Sequence, residues 1–122
     1  MSKHHTHVLD IYNVHLHAVT TRKAWAKLRK DMPHLDENPG LGHTHLFEWI
    51  PNDGTLPERH VALYIDVKAH RDDHAELINT CAHEATHAAG MILDQIKARY
   101  DGNSEPFAYL VGWLTAWLWN LT

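Results

Sequence analysis

Residues 81 to 90 read CAHEATHAAG, and within them His83-Glu84-Ala85-Thr86-His87 has the form H-E-x-x-H. Two histidines four residues apart on a helix can share a zinc ion, and the glutamate between them can act on a metal-bound water. The chain carries 13 histidines in 122 residues. At that composition a shuffled chain shows the pattern with a probability of about 0.07. What surrounds these ten residues therefore decides how they are read.

The pattern predicts one long helix from Asp72 or Asp73 to Arg99. Acidic residues open it and Lys97 and Arg99 close it, as the helix dipole favours. At about 100° per residue, His83 and His87 stand about 40° apart and Glu84 flanks them. Leu77, Cys81, Ala85, Ala88, Ile92 and Ile96 form a separate stripe, the expected core face. Gly90 falls on the histidine side. An interior helical glycine costs about 1 kcal/mol relative to alanine, so a close neighbouring backbone is expected there. The extended pattern H-E-x-x-H-x-x-G-x-x-H does not complete itself. Its third ligand position is Leu93, which cannot bind zinc, and Asp94 is one residue off.

Upstream, residues 7 to 19 alternate as one strand. Thr20 or Thr21 caps a helix over about 21 to 31, with Ala24, Trp25 and Leu28 as its apolar stripe. Residues 43 to 50 and 60 to 68 are two further strands, joined by a loop with the turn signal Asp53-Gly54 and expected to pair as an antiparallel hairpin. Downstream, Asp101-Gly102-Asn103 breaks the chain, and Asn103 or Ser104 caps a last helix over about 104 to 120. The expected fold is a single α+β domain over residues 1 to 122. It has a small, mostly antiparallel three-stranded sheet packed on helices, with residues 1 to 6 flexible.

A zinc hydrolase site needs a third protein ligand, and in one arrangement it is a glutamate from the next helix. Glu105 opens the last helix. Glu105, Tyr109, Gly112 and Ala116 share one side of it, and the small residues there could let it pack closely against Gly90. The bland reading of Glu105 is a first-turn acid favoured by the helix dipole.

His83-Glu84-x-x-His87 followed by Asn103-Ser104-Glu105-Pro106-Phe107-Ala108 resembles the gluzincin division of the zincin metallopeptidases. The size is similar to that of the minigluzincins, and the sequence looks like small H-E-x-x-H proteins of tailed bacteriophages. The resemblance covers about residues 60 to 118. It implies a zincin-like fold with a long active-site helix and a C-terminal ligand helix. It also implies Zn2+ held by His83, His87 and Glu105, with Glu84 as general base in peptide-bond hydrolysis. Tyr109 is the first candidate for a donor to the oxyanion, and its rival reading is an aromatic buried in a helix contact. The implied substrate is a peptide or protein, lying as an added strand on the edge offered by strand 43–50 or strand 60–68. One departure stands out. Thermolysin-like enzymes carry an aspartate where this chain has Tyr109, so the outer partner of the zinc histidines is open, with Asn79 a substitute candidate.

Composition bounds the alternatives. A formal net charge of −4 provides no basic field for nucleic acid. The apolar run 106 to 119 is too short for a membrane span. A lone Cys81 allows no intrachain disulfide, and the N-terminus lacks a signal peptide's apolar run. A cytoplasmic location is expected, the bacterial host's if the chain is phage-encoded. The pairs His15/His17 and His43/His45 read as solvent-facing or hydrogen-bonded, and His70 and His74 as surface. Five tryptophans leave room for a homo-oligomer through the C-terminal aromatic helix. The alternative function is a catalytically inactive, metal-stabilised binding protein on a zincin scaffold.

Overall fold

The computed structural model describes residues 4–96 and 104–122. Four strands, β1 (His4–Leu9), β2 (Val14–Val19), β3 (Gly42–Trp49) and β4 (Glu58–Ile65), form one mixed sheet in the order β1-β2-β4-β3. Three helices accompany it: α1 (Arg22–Asp31), α2 (His74–Gln95) and α3 (Glu105–Leu121). The α+β class stands, but the sheet has four strands rather than three and is mixed: two of its pairings are antiparallel, while β2 and β4 run parallel.

Two local causes explain the difference. The expected single strand over 7 to 19 breaks at a short 3-10 turn, Asp10–Tyr12, followed by Asn13 at φ 52°. Asparagine tolerates this left-handed conformation better than most residues, and the chain folds back as the β1–β2 hairpin. Residues 4 to 6, expected in a flexible terminus, instead pair with β2. The second cause is β4. All of its residues from His60 to Ile65 are buried. A strand apolar on both faces belongs in the middle of a sheet, so β4 enters between β2 and β3, pairing with β3 in the expected antiparallel hairpin. Its last residues leave early: Val67 starts a 3-10 turn at Lys68–His70 rather than continuing the strand.

The two sheet faces bury different partners. Val14, Leu16, Val61 and Leu63 pack against α2 and α3, while Val19, Ala62 and Tyr64 pack against Trp25 and Leu28 of α1. Thr21 caps α1 by accepting from the Ala24 N–H, and Asp73 caps α2 by accepting from that of Glu76. The expected core stripe of α2 is buried from Leu77 to Ile92, but Ile96 is 41% exposed. Lys97, Arg99 and Asn103 lie outside the described residues; Ser104 is the cap of α3.

On α3 the buried face is Leu110, Leu114 and Leu118, whereas Glu105, Tyr109, Gly112 and Ala116 are exposed. Nine residues at 100° put Leu114 about 180° from Glu105. The face expected to meet α2 is therefore turned outward, because burying three leucines removes far more apolar area than burying glycine and alanine. A Cβ added at Gly112 would meet nothing within 4 Å. Trp113 and Trp117 pack within the chain, their ring centroids 4.9 and 6.2 Å from that of His7 on β1. Among the described residues no helix is long and apolar enough to cross a membrane.

Candidate metal centre

His83 and His87 sit on the exposed side of α2, with their Nε2 atoms 3.1 Å apart. Two imidazoles bound to one tetrahedral zinc at about 2.0–2.1 Å each stand about 3.3 Å apart. The pair is thus spaced as a shared ion requires, and the contact is equally that of a hydrogen bond from one ring to the other. Their rings meet edge to face, centroids 4.7 Å apart.

Glu84 differs from its neighbours. It is 5% exposed, packed between α2 and the outermost strand β3. The Thr44 hydroxyl donates to its Oε1 at 2.7 Å, and its Oε2 lies 4.0 Å from His83 Nε2. Thr44 reaches it because alternation along β3 turns residues 44 and 46 to the α2 side. Burying a carboxylate is costly without donors, so its place here is bound to Thr44. Gly42 completes the arrangement: a Cβ there would stand 2.8 Å from Thr80 Cγ2 and 2.9 Å from Glu84 Oε2. Only glycine lets the α2 carboxylate lie so close to the strand. Gly42→Ala is expected to push Glu84 off Thr44 and to lower stability by about 1–3 kcal/mol. Chemical denaturation measures this, and a variant as stable as the parent would show that the contact is not tight.

His70, expected on the surface, is 7% exposed. Its Nδ1 lies 2.6 Å from the Asp66 carbonyl oxygen and its Nε2 2.7 Å from the Thr80 hydroxyl. It ties the end of β4 to the turn of α2 that precedes Glu84, so it positions the site from behind. No spacing rule singles it out; the signal is the tight turn after Asp66. His74 is exposed, as expected; Asn79, the substitute candidate for an outer partner of the histidines, is exposed too. Cys81 belongs to the core, where burial pushes its thiol up to about 11.

The structure does not gather the full expected ligand set. Among the described residues no three or more His, Cys, Asp or Glu side chains are grouped so as to hold a metal ion. Glu105 is exposed at the start of α3, and Tyr109, 74% exposed, follows it on the outward face. What lies beside His87 instead is a shallow hollow of about 310 Å³, lined by Thr86, His87, Gly90, Met91, Asp94 and Phe107. Phe107, two residues after Glu105, thus brings the first turn of α3 to the histidine side of α2. The two imidazoles are spaced to fit a zinc ion and the held carboxylate stands beside them, but among the described residues no third ligand joins them.

Compared with protein-family models, curated proteins and solved structures, the chain matches none.

Proposed function

We propose that this chain is a zinc-dependent peptidase of gluzincin type. The observation that carries the reading is the combination on α2 of an imidazole pair at 3.1 Å and a buried carboxylate 4.0 Å from it. A composition accident explains two exposed histidines; it gives no reason for a buried acid held between them and an edge strand.

His83 and His87 would hold the metal through Nε2. Glu105 is the proposed third ligand, brought in by a turn of the α3 N-terminus toward the hollow that Phe107 already lines. Zinc in such a site supplies a water acidified to a pKa of about 7 and polarises the scissile carbonyl. Glu84 does the proton work: its Oε2 takes the proton of the attacking water and returns it to the leaving amine. Thr44, bound to Oε1, keeps the other oxygen toward the histidines. Tyr109 is the proposed oxyanion donor and would move with Glu105. Of the two strands considered for substrate, β4 is central and β3 is outermost, so β3 offers the edge on which a peptide would lie.

Tag-free protein, dialysed against metal-free buffer, is expected to retain one zinc per chain by elemental analysis, and His83→Ala to lose it. Glu105→Ala should weaken zinc binding roughly hundredfold, since ligand number sets the affinity. Zinc well below one per chain, or unchanged in His83→Ala, refutes the reading. Unchanged affinity in Glu105→Ala assigns the third place to another group.

A further inference from the structure

The sheet face away from α2 holds a second group of histidines. By alternation and register, His4 of β1, His15 and His17 of β2, His43 and His45 of β3, and His60 of β4 share it. Three of them form a continuous chain across β1, β2 and β4. His4 Nε2 lies 3.1 Å from His17 Nδ1, His17 Nε2 lies 2.9 Å from His60 Nδ1, and His60 Nε2 lies 3.1 Å from Glu58 Oε2.

The chain has a fixed direction. A carboxylate only accepts, so His60 donates from Nε2, and in the neutral ring its Nδ1 then accepts. His17 then donates from Nε2, and its own Nδ1 accepts from His4. With the rings neutral, all three carry their proton on Nε2. A proton added to His17 at Nδ1 points an N–H at the N–H of His4; one added to His60 at Nδ1 does the same to His17. Either breaks the chain or reverses a bond in it.

We propose that this histidine chain is a proton-operated latch: neutral, it fastens β1 to the sheet, and in mild acid it releases β1 while the α2 side of the fold stays intact. The surrounding groups favour a neutral chain. Burial, and then His5 on β1 and Lys27 on α1, oppose a charge on His4, and Asp31 favours one. Burial opposes a charge on His60, Glu58 favours one, and His15, stacked on His60 at 4.7 Å, opposes a charge on both His60 and His17. From β3, the uncharged Phe47 covers His60, with ring planes 8° apart. Burial first, and then His60, His4 and His15, push the His17 ring from 6.5 down to about 4. A folded value below the free one means that the released form takes up a proton the docked form refuses. Docking is therefore complete above pH 6.5 and weakens as the pH falls toward 4. Each extra proton bound by the released form shifts the balance about tenfold per pH unit.

The test is amide hydrogen exchange of the full chain from pH 7.5 to 4.5, expressed as protection factors, with 15N shifts of the histidine rings. Protection in β1 is expected to fall by at least about tenfold per pH unit once the pH is well below 6.5, while α2 stays protected. At pH 7.5 the rings of His4, His17 and His60 should all report the Nε2–H tautomer. Simultaneous loss in β1 and α2, β1 protection that persists to pH 4.5, or an Nδ1–H tautomer at His17 overturns the proposal. His17→Gln, whose amide can both donate and accept without titrating, is expected to move β1 release at least about one pH unit lower. Release at the parent's pH removes His17 as the trigger.

Discussion

Glu84→Gln is expected to keep the fold and the zinc and to lose about 10²- to 10⁴-fold in hydrolysis of a mixed peptide substrate, the usual contribution of a positioned base. The substitution suits the site. A glutamine oxygen can still accept from Thr44, which bonds Glu84 Oε1 at 2.7 Å, and the side chain keeps its shape against Gly42. What is lost is the basic oxygen 4.0 Å from His83 Nε2. The buried position makes the result informative, since an exposed acid could be replaced by solvent base. Retained zinc with lost turnover separates a peptidase from a metal-stabilised binding protein, which would have no turnover to lose. Undiminished hydrolysis would remove Glu84 from the mechanism.

Leu114→Ala on α3 is expected to cost about 2–5 kcal/mol, the range for a leucine deleted from a packed core. Leu114 is wholly buried among residues of α2 and the sheet. Against a domain stability of about 5–15 kcal/mol this is a large share. Two residues earlier, Gly112→Ala should do the reverse and stabilise by up to about 1 kcal/mol, the helix propensity difference, because a Cβ there meets nothing within 4 Å. Thermal or urea unfolding of the two variants measures which face of α3 is inside. A destabilised Gly112→Ala would place the small-residue face against α2 after all, and would bring Glu105 with it.

That pair of variants tests a choice that helix geometry alone leaves open. The angular relation of His83, Glu84 and His87 follows from helix geometry alone, and so does the separation of the core stripe at Leu77, Cys81, Ala85, Ala88 and Ile92. On α3 the same geometry offers two faces. Gly112 and Ala116 suggest close packing, while Leu110, Leu114 and Leu118 offer buried area, and the area prevails. The strands show a similar limit. The apolar run from Val61 to Ile65 is visible in the sequence, and its continuity is the mark of a central strand. Its insertion beside β2, parallel to it, depends on partners far away in the chain.

The sequence by itself determined the two-histidine helix, its flanking glutamate, the α+β class and the β3–β4 hairpin, because each rests on contacts between residues near in the chain. Only the tertiary structure decided that Thr44 and Gly42 enclose the Glu84 carboxylate, that His70 is a buried brace, that Glu105 starts on the outward face of α3, and that His4, His17 and His60 join in one chain. Those depend on strand register and helix rotation, which are set by what the whole core can bury.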